Sequence, residues 1–155
     1  MRSRESVHID APPREVWPWF ADPDRVAQWN PKLESHQAQP FNHLREGHEY
    51  WVTYRLGSKS HQMRASLRRF RPPCELVVEY RGGDLRRDGW AREEVTIEER
   101  GDGSRVRRGV TFADPRIPWW ARPLIAFLLR FGVSVDEPQL AAVKRLVEAG
   151  GGDPA

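Results

Sequence analysis

The histidines at positions 8, 36, 43, 48 and 61 are the chain's only imidazoles, and none stands in an HExxH or paired-cysteine pattern. A metal site therefore has no ligand set to start from. Cys74 is the single cysteine and follows Arg71-Pro72-Pro73, a turn. No His or Asn can be tied to it as an activating partner, so it reads as a bystander rather than a nucleophile. No Gly-x-Ser-x-Gly elbow occurs, and Gly150-Gly-Gly152 sits at the tail with no helix after it, which leaves esterase chemistry and phosphate cradles without a basis. No metal and no cofactor are expected. The remaining candidates are Glu93, Tyr54, Tyr80, His61 and Arg108, whose chemistry depends on whether they face water or an apolar interior.

The elements that decide this begin with Val7-His-Ile-Asp10, which alternates and ends at Ala11-Pro-Pro13, a stop for a strand and an opening for a helix. That helix carries Val16 and Phe20 on its inner face and is kinked or tightened by Pro18. It stops near Asp22-Pro23, and a second short helix leads to Trp29-Asn-Pro31. From about Leu33 to Asp114 the chain reads as strands divided by Gly57-Ser-Lys-Ser60, Pro72-Pro73, Gly82-Gly83 and Asp102-Gly103.

A two-residue turn at Asp102-Gly103 would place Glu93 opposite Phe112, Val95 opposite Val110, Ile97 opposite Arg108 and Glu99 opposite Val106. Around Gly57 to Ser60 the pairs are Leu56 with His61, Tyr54 with Met63, Val52 with Ala65 and Tyr50 with Leu67. Around Pro72-Pro73 they are Arg69 with Leu76, Leu67 with Val78 and Ala65 with Tyr80. The apolar sets coincide each time, and a one-residue slip would send each to the other face, so the spacing predicts one continuous antiparallel sheet with a single buried side. The opposite parity is rich in Arg and Glu, with Arg107 facing Glu98, and reads as a solvated face; Trp51 is its exception.

After Asp114-Pro115, Pro118 can open a helix with Trp120, Leu124, Phe127, Leu128, Phe131 and Val135 at three- and four-residue steps. It continues past Pro138 through Leu140, Val143 and Leu146-Val147. The run from Trp119 to Phe131 is broken by Arg122, Pro123 and Arg130 and is shorter than the ~20 residues a bilayer requires. The N-terminus lacks an apolar stretch after its basic residues, so export is not expected and a cytoplasmic location is.

Bulk properties agree with one domain over residues 1–149 and a disordered tail at 150–155. Twenty-five basic against 22 acidic residues give a net charge of +3, with Arg dispersed among Glu. A nucleic-acid footprint needs charge gathered on one stripe, so no nucleic-acid partner is expected.

The series Val7-His-Ile-Asp-Ala-Pro-Pro-Arg-Glu-Val-Trp17, Asp22-Pro23, Trp29-Asn-Pro31, Gly103-Ser-Arg-Val106 and Leu140-Ala-Ala-Val-Lys-Arg-Leu-Val147 resembles the START-like superfamily. That superfamily includes birch-pollen-allergen-like and bacterial polyketide cyclase/dehydratase-like proteins. The resemblance implies an α+β helix-grip fold: a curved antiparallel sheet of about seven strands wrapped around a long C-terminal helix, with two short helices after the first strand. It implies a hydrophobic tunnel between sheet and helix, and no family-wide catalytic residue to carry over.

Under that reading the buried face becomes a cavity lining. One layer would run Tyr50, Leu67, Val78, Glu93, Phe112, and the next Val52, Ala65, Tyr80, Ala91. The full set of expected ligand-contacting residues is Val52, Tyr54, Met63, Ala65, Leu67, Val78, Tyr80, Ala91, Glu93, Val95, Val110, Phe112, Trp120, Leu124 and Phe127. Glu93 would sit between Val78 and Phe112, where desolvation penalises a carboxylate's charge and suits it to donate a proton or anchor a hydrogen bond. Arg108, near the hairpin end and diagonal to Glu99, reads as half of a surface ion pair, and His61 as a rim residue.

Three functions follow in order of preference. The first is binding of a hydrophobic lipid, isoprenoid or polyketide-like molecule in the cavity. The second is an aromatase/cyclase or dehydratase activity with Glu93, Tyr54 and Tyr80 as acid/base groups. The third is an interaction module on a ribosome, chaperone or membrane complex, with peripheral membrane contact through Trp119, Trp120 and Arg122.

Overall fold

The computed structural model describes residues 2–56, 58–82, 90–113 and 139–150. Strand β1 (Arg2–Ile9) begins five residues before the alternation at Val7 signals it. Helix α1 (Pro13–Ala21) opens with Pro13 in its first turn, where a missing N–H costs nothing, and keeps Pro18 inside. Asp22 closes α1 and starts α2 (Pro23–Trp29), its side chain accepting from the Asp24 N–H at 3.0 Å. Then come β2 (Leu33–His36), a 3-10 turn (Phe41–His43), β3 (Glu49–Leu56), β4 (Lys59–Arg71), β5 (Glu75–Gly82), β6 (Trp90–Arg100) and β7 (Gly103–Ala113). The last described element is α3 (Gln139–Gly150).

The seven strands form one antiparallel sheet in the order β1-β7-β6-β5-β4-β3-β2. Its faces are those the alternation predicts, but two registers differ from the turn-based expectation by two residues. Pairing of β3 with β4 runs to Leu56↔Lys59, so Val52 faces Met63, Tyr50 faces Ala65 and Tyr54 faces His61. Pairing of β6 with β7 runs to Arg100↔Gly103, so Glu93 faces Val110, Ala91 faces Phe112 and Val95 faces Arg108. The physical reason is turn chemistry. Gly101 takes the positive φ of +59° that the first position of this two-residue turn requires, and the turn is Gly101-Asp102. Gly103 belongs to the strand, and its hydrogen side chain answers a different need: a Cβ there would lie 2.6 Å from the Ile9 carbonyl oxygen and 2.7 Å from His8 Nε2. A slip of two preserves parity, which is why the buried face survives.

On β4 and β5 the expected pairs Leu67↔Val78 and Ala65↔Tyr80 hold, as does Tyr80↔Ala91 between β5 and β6. A bulge between Leu67 and Arg69 then replaces the expected Arg69–Leu76 pair with Arg69↔Val77 and Phe70↔Leu76. It turns Phe70 inward, where its ring meets Trp17 edge-on at 5.3 Å.

The buried side joins Leu67, Leu76, Val78, Val95, Ile97 and Val106 of the sheet to Val16, Trp17 and Phe20 of α1 and to Leu140, Val143 and Val147 of α3. Helix α3 leans on β1, α1 and α2. Lys144 Nζ donates to the His8 carbonyl at 2.8 Å, and Glu148 Oε1 accepts from the Asp10 N–H at 3.1 Å. The expected first part of the C-terminal helix, with Trp119, Trp120, Arg122, Leu124 and Phe127, lies outside the described residues, as does the tail beyond Gly150. No helix among the described residues is long and apolar enough to cross a membrane.

The outer face carries the ion pairs the parity implies. Arg107 reaches Glu98 at 3.3 Å, diagonally rather than directly opposite, since the register places Arg105 across from Glu98. Glu79 is buried there beneath Arg68, Arg81 and Arg92, with N–O distances of 3.3, 2.9 and 3.1 Å. The exposed ring of Trp51 lies under the Arg64 guanidinium, 5.0 Å away.

Candidate functional site

Helix α1 packs against β6 and β7 and helix α2 against β2; Phe20, Ala21 and Pro23 sit where the two short helices meet, and Leu67, Val78 and Tyr80 belong to β4 and β5. Between them lies a cavity. Its lining is Phe20, Ala21, Pro23 and Val26 from the helices, and Leu33, Tyr50, Val52, Tyr54, Leu67, Leu76, Val78, Tyr80 and Glu93 from five strands. The space open to the centre of a water-sized sphere is about 20 Å³, room for about one water molecule. A larger guest must displace side chains.

Of the residues expected to touch a ligand, Val52, Tyr54, Leu67, Val78, Tyr80 and Glu93 come together at this cavity. Met63, Ala65 and Val95 are buried in the surrounding core, and Ala91 and Val110 are half-buried on the same face. Phe112 is placed by its backbone opposite Ala91, and Trp120, Leu124 and Phe127 lie outside the described residues. The expected layers are rearranged by the two-residue register difference: Tyr50, Ala65, Tyr80 and Ala91 form one row, and Leu67, Val78, Glu93 and Val110 the next.

Sequence reasoning missed the helix-borne lining of Ala21, Pro23 and Val26, together with Leu33 and Leu76. Phe20 was legible as an inward residue of α1, but periodicity within one short helix says which side is buried and not what it faces.

The polar residues converge more closely than alternation alone suggests. Glu93 Oε2 accepts two hydrogen bonds from Arg108, from Nε at 3.0 Å and from a terminal nitrogen at 2.6 Å. The side chains are 10% exposed for Arg108 and 15% for Glu93, so this is an interior ion pair. That corrects both sequence expectations: Glu93 is not a lone carboxylate among apolar groups, and Arg108 does not pair at the surface with Glu99. The cause is again the register, which sets Arg108 opposite Val95 and diagonal to Glu93. Arg108 also lies 5.5 Å from the Trp29 ring centroid and 3.9 Å from Glu5. Burial works against its charge, but the Glu93 charge and hydrogen bonds outweigh it and hold the guanidinium more firmly protonated. His61 is also corrected: it is buried opposite Tyr54 rather than at the rim.

The chain has three tyrosines, and all three line this cavity. The Tyr54 and Tyr80 rings meet edge to face at 5.7 Å. Burial pushes the Tyr54 hydroxyl up to about 12, with the Glu93 charge adding to the effect and the neighbouring Tyr80 hydroxyl and the Arg108 charge opposing it. Tyr50 and Tyr80 are pushed up as well, by burial first, then by Tyr54 and by Glu93. The arrangement supplies neutral phenols and one ion-paired carboxylate on an otherwise apolar wall. Among the described residues no three His, Cys, Asp or Glu side chains gather as a metal would require.

Comparison with known proteins places this architecture. No curated protein matches the sequence. Among solved structures, protein TTHA0849 from Thermus thermophilus superposes with a TM-score of 0.70 at 18% identity, covering 97% of this chain and 99% of that one. Protein CV1439 from Chromobacterium violaceum gives 0.69 at 19% identity, over 95% and 96%. Ara h 8.0201 gives 0.65 at 13% identity, over 96% and 98%. These likenesses establish the helix-grip fold. The family model described as "Polyketide cyclase / dehydrase and lipid transport" matches residues 1–148, and the chain belongs to that family.

Proposed function

We propose that the protein binds an apolar small molecule, of lipid, isoprenoid or polyketide-like character, against the buried face of its sheet beneath α1 and α2. The observation that carries this reading is the lining itself. Nine apolar side chains converge with three phenols and one carboxylate on a single cavity, the usual composition of a small-molecule site, in which a few polar points orient an apolar guest. A family whose description joins cyclisation, dehydration and lipid transport accords with it.

Binding is favoured over turnover by the state of the phenols. A general acid or base works best with a pKa near the operating pH, and burial moves Tyr54 away from it, up to about 12. The test is denaturing mass spectrometry of protein purified natively from its host, together with displacement of a neutral fluorescent probe by apolar compounds. Recovery of a stoichiometric apolar molecule is the expected result. No bound molecule and no probe uptake would overturn the reading.

A further inference from the structure

The same wall carries an acceptor that the described residues leave unused, and this narrows the ligand; the inference rests on the binding reading above. Both Arg108 hydrogen bonds go to Oε2 of Glu93, and among the described residues Oε1 receives none. Arg108 is committed to Glu93, with Glu5 and the Trp29 ring as its further neighbours. It is not free to serve as counter-ion to a guest.

Beside this pair the Tyr54 and Tyr80 rings meet edge to face at 5.7 Å, and both residues line the cavity. Each phenol hydroxyl carries one proton that it can donate. At Tyr54 the field of Glu93 outweighs that of Arg108, since burial is followed by the Glu93 charge in raising its pKa, with the Arg108 charge a smaller opposing effect. A carboxylate head lodged here would lose its hydration and meet a like charge, and Arg108, the cation beside it, is already paired with Glu93. A hydroxyl meets an acceptor and a donor together.

We propose that this wall selects a neutral apolar ligand bearing an alcohol or phenol hydroxyl, whose O–H donates to Glu93 Oε1 and whose oxygen accepts from the Tyr54–Tyr80 pair, and that it rejects the carboxylate of a fatty acid. Hydrogen bonds to charged groups are the strong ones, so the preference over a ligand lacking the proton is about tenfold in affinity.

The experiment displaces the neutral probe N-phenyl-naphthylamine from the unaltered full chain at neutral pH with three matched compounds: decanol, its methyl ether and decanoate. Decanol is expected to act at about one-tenth the concentration of either other compound. In a Glu93→Met/Arg108→Met double variant, which removes both charges at similar volume, decanol and its ether should become equal. If that variant does not fold, the series on the unaltered chain decides. Equal displacement by all three, or strongest displacement by decanoate, overturns the hydroxyl preference while leaving the binding reading standing. Failure of the probe and of all three compounds to bind overturns the binding reading and the preference with it.

Discussion

Raising the pH should unfold this protein through its tyrosines, and the size of the effect follows from where they sit. A phenol whose folded pKa is raised contributes stability that is intact below its unfolded value near 10 and is lost as pH climbs through the folded value. Tyr54 moves from 10.0 to about 12, so between those limits about 3 kcal/mol of stability is withdrawn through this group. Tyr50 and Tyr80, raised by burial in the same cavity, act in the same direction. That is a large share of the roughly 5–15 kcal/mol that holds a domain of this kind folded. Because all three tyrosines line the cavity, tyrosinate absorbance reports on it without background from other phenols. Absorbance and circular dichroism, followed together from pH about 8 to 12.5, should show ionisation delayed past pH 10 and coincident with loss of the sheet. Three phenols titrating near pH 10 while the sheet persists would refute the burial on which the site depends.

Other perturbations reach different parts of the account. Arg108→Met leaves Glu93 without its partner in a site where it is 15% exposed, and should cost about 3–5 kcal/mol in urea unfolding. Adding Glu93→Met should recover most of that loss, and a coupling below about 0.5 kcal/mol would show that the pair is not interior. Gly103→Ala forces a methyl to 2.6 Å from the Ile9 carbonyl and should destabilise by about 1–3 kcal/mol, with hydrogen exchange rising first along β1. Glu79 is desolvated, yet its hydrogen bonds to Arg92 and Arg81 and the Arg68 charge prevail and hold its carboxyl below the usual range. Its contribution is therefore present above the unfolded value near pH 4.5 and is lost as pH falls. Glu79→Gln should lower the melting temperature at pH 7 and flatten its fall in acid.

The face each strand buries was legible in the residues, and the partner each residue meets across the strands was legible only in part. Parity survives any even slip, so Leu67, Val78 and Val95 were assigned to the interior correctly although two of the hairpin registers differ by two residues. The slip matters for chemistry because Arg108 moves from the neighbourhood of Glu99 to that of Glu93, turning a surface pair into an interior one. What set the register was which glycine bends the chain: Gly101 does so, and Gly103 yields space to β1. The bulge at Leu67/Arg69 left no turn residue to announce it. The cavity's second wall comes from α1 and α2, whose short apolar faces name no target.

The most direct measurement of the central claim uses protein with carbon-13 in its tyrosine rings, titrated with decanol and followed by two-dimensional NMR. Each tyrosine gives one signal in the ring Cε–Hε region, so three are followed there. If the sheet, α1 and α2 enclose the binding site, all three move together and saturate in step with displacement of the fluorescent probe. Binding seen by the probe while the three tyrosine signals stay fixed would place the ligand elsewhere and contradict the account.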